Sequence, residues 1–316
     1  MALEPWPALH LEDWSDTKET LHRMAQVVGK IRLARAHPVN HWWQVPLYVT
    51  ARGLTTSTVP DGERLFEIRL DLVAHEVRVE TSDGARAGFA LEPMAVADFH
   101  DRLLGALGGL GIAVSIRPAT CEIPDERLGL DEDRVHASYD AAAVRRFFQV
   151  LARTSEVMAR ARGRFLGKAS PIQFFWGSFD LALTFFSGRR APERAGADAV
   201  TREAYSHEVV SVGFWPGGGG VDASFYAYAA PEPPGFADGE VAGGRYDPQL
   251  KEFLLPYEAV RRSGAPDQAL LAFFESAYAL GAELGRWDRQ ALERPEPASR
   301  AGSGWAAYEP AGLGLS

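Results

Sequence analysis

The chain has 316 residues, 46% of them hydrophobic and 11% aromatic, which suits one large domain or two ordinary ones and excludes a globally disordered polypeptide. Its formal charge is −9, and basic residues gather only in short pairs such as Arg145–Arg146, Arg189–Arg190 and Arg261–Arg262. The basic face that a general nucleic-acid binder needs is therefore missing, and the single cysteine, Cys121, excludes both an intrachain disulfide and a thiolate zinc cluster.

The N-terminal stretch MALEPWPALHLEDW lacks the basic start and apolar core of a secretory signal. No apolar run approaches the roughly 20 residues of a membrane helix. The expectation is a soluble, cytoplasmic protein with no membrane or nucleic-acid partner. A first helix is predicted over 16–35, with Asp16 and Glu19 at capping-box spacing and Leu21, Met24, Ala25, Val28 and Ile31 as its apolar stripe. The segment His41–Arg52, HWWQVPLYVTAR, alternates as a strand, with Trp43, Val45, Leu47 and Val49 on one side and Trp42, Gln44, Tyr48 and Thr50 on the other. RLFEIRLDLVA and EVRVETSDG then read as an antiparallel hairpin. A helix over 94–107 follows, stopped by Gly108, Gly109 and Gly111, and IAVSIRP reads as a short strand. Residues 118–137 are polar and turn-rich, a connection between halves.

In the second half Asp140 is placed to cap a helix whose stripe is Val144, Phe147, Phe148, Leu151, Ser155 and Met158. SPIQFFWGSFDLALTFFSG reads as one long aromatic strand, EVVSVGFWP and ASFYAYA as a hairpin across Gly217–Gly220, and 267–285 as a closing helix. Residues 231–249 form a Pro- and Gly-rich loop, and 294–316 a flexible tail. The halves echo one another. Pro38-Val39 followed by Trp42-Trp43 is matched by Pro171-Ile172 followed by Phe175-Trp176, and Leu21, Arg23 and Val27 by Leu151, Arg153 and Val157. The expected fold is α+β: two related α-β-β-β-α halves, 1–130 and 131–293, with mainly antiparallel sheets covered by helices.

Three kinds of chemistry are weighed on these elements. His207-Glu208 begins like the zinc motif H-E-x-x-H, but position 211 is Ser, and adjacent strand residues point to opposite faces. A metal site would need distant residues such as His41, His136 and His207, so no metal or cofactor is expected. There is no G-x-S-x-G elbow. Ser15 and Lys18 match S-x-x-K, but they lie where a helix starts. Gly217–Gly220 precede a strand rather than a helix, which favours a hairpin turn over a phosphate loop.

Asp180 is the most informative ionisable residue, because FFWGSFDLALTFF is too apolar to hold a casual charge. Alternation groups it with Trp176, Ser178, Ala182 and Thr184. If 206–215 neighbours that strand, His207, Ser211 and Trp215 share one face, and Asp180 with His207 would form an acid–base pair. Trp42, Gln44, Tyr48 and Arg52 form a parallel candidate face in the first half. The bland reading of both faces is aromatic packing between helix and sheet.

The stretches NHWWQVPLYVTARGLTT, SPIQFFWGSFDLALTFFSGR and REAYSHEVVSVGFWPGGGG resemble a bacterial family of uncharacterised proteins, domain of unknown function 5996, over about residues 5–290. The resemblance implies no activity, cofactor or catalytic residues. Members of that family often carry histidine where this chain has Gln44 and Gln173, which weakens a metal or proton-transfer role for those two positions. The leading expectation is small-molecule binding in an aromatic-walled pocket. A metal-independent hydrolase using Asp180 and His207 comes second, and a structural or oligomerisation protein third. The sequence leaves the oligomeric state open.

Overall fold

The computed structural model describes residues 4–123 and 128–295; of the tail expected over 294–316, residues 296–316 lie outside them. After a short 3-10 turn, Leu11–Asp13, the chain enters α1 (Ser15–Arg35). Leu21, Met24, Ala25, Val28 and Ile31 are buried, as their spacing requires. The expected capping box does not form: Trp14 is the N-cap residue, and the Glu19 carboxylate is held by Lys18 and Arg23 instead.

Six short strands follow: β1 (Tyr48–Val49), β2 (Gly53–Thr55), β3 (Val59–Asp61), β4 (Arg64–Asp71), β5 (Glu76–Thr81) and β6 (Arg86–Ala90). They form an antiparallel sheet in the order β1-β2-β4-β5-β6, with β3 also on β4. The hairpin expected from alternation is β4–β5. The single strand expected over 41–52 is not present. Asn40–Trp42 is a 3-10 turn in which His41 and Trp42 both adopt left-handed backbone conformations. Pro46 then removes an N–H that a ladder would need. Helix α2 (Val96–Gly109) ends at the glycines. IAVSIRP runs on without ladder pairing, so its alternation records one side resting on the core rather than a strand.

α3 (Ala141–Gly163) opens the second half with Asp140 as its cap, the carboxylate accepting from the amides of Ala142 and Ala143. Next come β7 (Gln173–Phe175), β8 (Asp180–Arg190), α4 (Ala199–Ala204), β9 (His207–Gly218), β10 (Val221–Ala230), β11 (Arg245–Asp247) and β12 (Glu252–Pro256). The chain closes with α5 (Tyr257–Arg261), α6 (Pro266–Leu284) and α7 (Arg289–Leu292). The second sheet is also antiparallel and six-stranded, ordered β11-β12-β10-β9-β8-β7. The α+β class holds, with six strands per half where the pattern gave three. The long aromatic strand is interrupted: Trp176–Phe179 is a turn closed by Phe179 N–H donating to Phe175 O at 2.7 Å, with Phe179 in a left-handed conformation. The aromatics there are buried on both sides of the turn, so hydrophobic spacing hid it. The glycine hairpin is as expected, with Gly219 and Gly220 at its tip.

Two hydrogen bonds join the sheets, Leu47 N to Phe174 O at 2.9 Å and Phe174 N to Leu47 O at 2.8 Å. Beneath them one contiguous core draws on both halves. On the second sheet the helix side carries Leu181, Leu183, Phe185, Val210, Val212, Phe214 and Phe225, all buried. Each such side chain contributes about 1.5–3 kcal/mol. The opposite side carries Asp180, Thr184, Ser211, Trp215, Tyr226, Tyr228 and Glu252.

Candidate functional site

Strand register builds the site on that second side. Leu181 lies opposite Phe214, so Asp180 and Trp215 are the next pair along, pointing away from the core. Tyr226 on β10 lies opposite Gly213 on β9, which in turn lies opposite Ala182 on β8. The Tyr226 ring therefore has a strand to cross before it reaches Asp180, and Gly213 lets it pass. A Cβ at Gly213 would lie 2.0 Å from Tyr226 Cζ. The phenol donates to Asp180 Oδ2, and Ser178 in the turn donates to Oδ1.

Asp180 is 8% exposed and makes no ion pair among the described residues. Burial pushes its carboxyl up, against the two hydroxyl hydrogen bonds. Two more carboxyls gather round it. Glu122, reached through the left-handed backbone of the connection, rests over Gly177, where a Cβ would lie 2.6 Å from its Oε1. It shares the Ser178 hydroxyl, and burial followed by the charge of Asp180 raises it. One hydroxyl proton cannot serve two carboxylates, so the arrangement is complementary when one of the pair keeps its own proton. Glu252, on β12 beyond Tyr226, is pushed up to about 7 by burial and then by Asp180 and Asp247. Gln173, across from Ala182 on the same side, is 1% exposed, and its Nε2 has no hydrogen-bond partner. The result is an acid end of the sheet face, walled by half-buried Trp215 and Tyr226.

His207 does not belong to it. The residue lies opposite Arg190 at the other end of β8 and β9, roughly 25 Å from Trp215 at about 3.3 Å per residue. The expected Asp180–His207 acid–base pair is therefore corrected, and the hydrolase built on it has no geometry. Ser211 shares the face, but its hydroxyl is engaged with those of Thr184, at 3.0 Å, and Tyr228. Of the other expected residues, Ser178 and Trp215 join Asp180, and Trp176 does not. Its indole packs over Gly29 of α1 and donates to Val45 O at 2.8 Å, a tie between the halves.

The face expected from Trp42, Gln44, Tyr48 and Arg52 dissolves with the strand that carried it. Trp42 sits in the 3-10 turn, its buried indole N–H unpartnered. Gln44 Oε1 caps Val39 N at 3.0 Å. The Tyr48 hydroxyl donates to Trp43 O, with Arg32 over its ring, and Arg52 pairs with the buried Asp71. Gln44, Tyr48 and Arg52 each have a local structural task. The residues that sequence reading missed are Tyr226, Glu252 and Glu122, and Gln173 it had set aside. Only Tyr226 had a visible signal: in ASFYAYA, Ser224, Tyr226 and Tyr228 alternate with Ala223, Phe225 and Ala227.

A separate cavity of about 520 Å³ opens on the helical side, lined by Phe165, Phe185, Phe274 and Tyr278. Its lining charges are engaged locally, Arg164 with Glu275, Arg289 with Glu293, and Arg294 with Gly163 O at 2.9 Å. Among the described residues no set of three His, Cys, Asp or Glu side chains is arranged to hold a metal, and no helix is long and apolar enough to cross a membrane.

A family model described as "Family of unknown function (DUF5996)" matches residues 6–294. No curated protein and no solved structure matches the chain.

Proposed function

The chain belongs to the DUF5996 family, and from that footing we propose that it binds a small amine-bearing molecule at the acid end of the second sheet. The observation that carries this reading is the contrast between the sheet's two faces. One is sealed by helices. The other holds three carboxyls, Asp180, Glu122 and Glu252, with no cationic side chain paired to any of them among the described residues.

Burial raises all three, and the charge of Asp180 raises Glu122 and Glu252 further, so each binds a proton where it would bind a cation more strongly. A ligand ammonium would relieve that repulsion. Trp215 and Tyr226 supply the aromatic faces that favour a cation, and the unpartnered Gln173 amide offers a donor to a ligand oxygen.

Stabilisation by a panel of small primary amines and amino alcohols tests the reading. The expected result is a saturable rise in Tm that grows from pH 5.5 to pH 8, as the carboxyls ionise, and is lost in Asp180→Asn. A panel without hits at pH 8, or hits unchanged in Asp180→Asn, refutes it.

A further inference from the structure

We propose that the opposite end of the same sheet face is an oxyanion site, built from Lys168, His207 and the ring of His41, that takes a doubly charged phosphate-type group. This inference stands apart from amine binding, because its residues lie roughly 20 Å from Asp180, the length of β8 from Asp180 to Phe186 at about 3.3 Å per residue.

The proton inventory comes first. His41 is 6% exposed, and its Nδ1 faces two carbonyl oxygens, Glu203 O and Ala204 O, each at 3.2 Å. Carbonyls only accept, so Nδ1 carries the hydrogen and Nε2 presents a lone pair. Lys168 Nζ donates to that lone pair at 2.7 Å. The ammonium is thus held by a neutral ring, and its charge is not cancelled. Trp43 at 5.1 Å and Phe186 at 5.0 Å fix it further through their ring faces. Among the described residues no carboxylate lies within 4.0 Å of Lys168 or of Arg190. The nearest acid on the neighbouring helix, Glu203, is turned to the backbone N–H of His41 at 3.2 Å.

His207 completes the cluster, its ring 5.3 Å from that of His41 and its strand position opposite the exposed Arg190. Ser206 Oγ spends its one proton on Glu203 O, so it accepts from His207 Nδ1–H at 3.0 Å. Nε2 of the neutral ring is therefore bare. Burial, then Lys168 and Arg190, hold this imidazole below its ordinary value, and burial, Lys168 and His207 do the same to His41. Lys168 and Arg190, with no carboxylate paired to either among the described residues, and two imidazoles they hold neutral make a site for an external anion. Bound there, a phosphate accepts from Lys168 and from a newly protonated His207 Nε2–H, so binding takes up a proton. His41 and Trp42 hold consecutive left-handed backbone conformations, and this turn sets the His41 ring in place.

The experiment is an imidazole NMR pH titration of the full chain, from about pH 5 to pH 8, with inorganic phosphate, against chloride at matched ionic strength and against acetate. Phosphate should give saturable shifts of the His207 resonances and raise the His207 pKa by about one unit, a tenfold tighter hold on its proton. Lys168→Met should weaken phosphate at least tenfold and Lys168→Arg less than threefold, while Asp180→Asn leaves the titration unchanged. Acetate should bind more weakly than phosphate. Shifts that match chloride, undiminished binding by Lys168→Met, or acetate equal to phosphate would each overturn the proposal, whatever amines do at the other end.

Discussion

Replacing Glu252 by glutamine removes one negative charge from the acid end at nearly constant volume. Burial and the charges of Asp180 and Asp247 push this carboxyl from an ordinary 4.5 to about 7. The folded protein then holds the proton more tightly than the unfolded chain does. The group's contribution to stability is greatest below about pH 4.5, declines as pH rises to about 7, and is flat above that. A displacement of that size corresponds to about 3 kcal/mol, and the solvent that still reaches a half-exposed carboxylate reduces it to roughly 1–3 kcal/mol. Glu252 makes no side-chain hydrogen bond that glutamine would lose among the described residues. Glu252→Gln should therefore equal the parent near pH 4.5 and exceed it by about 1–3 kcal/mol at pH 8.

The parent's own pH profile would mislead, because His22 slopes the other way. Burial holds its imidazole down to about 4, with Nε2 against Gly177 O at 2.8 Å. Stability from His22 is present above its ordinary 6.5 and lost as pH falls towards 4. The two trends partly cancel in the parent, and the variant-minus-parent difference isolates Glu252. Urea unfolding at pH 4.5, 6 and 8 measures it, provided the m-value is unchanged. A difference that stays constant across pH, or a variant less stable at pH 8, refutes the reasoning.

Two further substitutions test the architecture of the face. Gly213→Ala places a Cβ 2.0 Å from Tyr226 Cζ, so the ring must leave Asp180; urea unfolding should show a loss of about 1–3 kcal/mol, and a neutral result would remove Tyr226 from its assigned path. Trp176→Ala should cost about 3–5 kcal/mol by the same assay, because its indole joins α1 to the second sheet. It should leave the affinity of any amine unchanged, and a binding defect without a stability loss would return Trp176 to the site.

The fold was legible where a single period governs burial. The α1 stripe, the β4–β5 hairpin and the glycine hairpin all rest on spacing that one core enforces. It was illegible where left-handed backbone turns the chain inside an apolar run. His41, Trp42 and Phe179 each do this, and none is a glycine that would have announced it. The site followed the same division. Asp180 stood out because a carboxylate among aromatics must be accounted for, and Trp215 followed by register. Glu122 and Glu252 come from a loop and a short strand, β12, whose placement between β11 and β10 no local pattern encodes. His207 was assigned to the right face and the wrong end, since alternation fixes which side a residue takes but says nothing of how far along a long strand its partner lies.

The length of β8 and β9 decides how the face can act. Acids gather where β8 begins, at Asp180, and cations where it ends, at Arg190, with Lys168 against Phe186. Charges of opposite sign would pair across a few ångströms, and in this protein they are kept apart by the hydroxyls of Thr184, Ser211, Tyr228 and Tyr205, which bond to one another instead. A separation of roughly 20 Å exceeds the Debye length of about 8 Å at physiological ionic strength, so each end sets its own protonation. That independence explains how carboxyls can be driven up at one end while imidazoles are driven down at the other. Each end lacks the counter-charge that the other holds, and the strand is too long for them to supply it to each other.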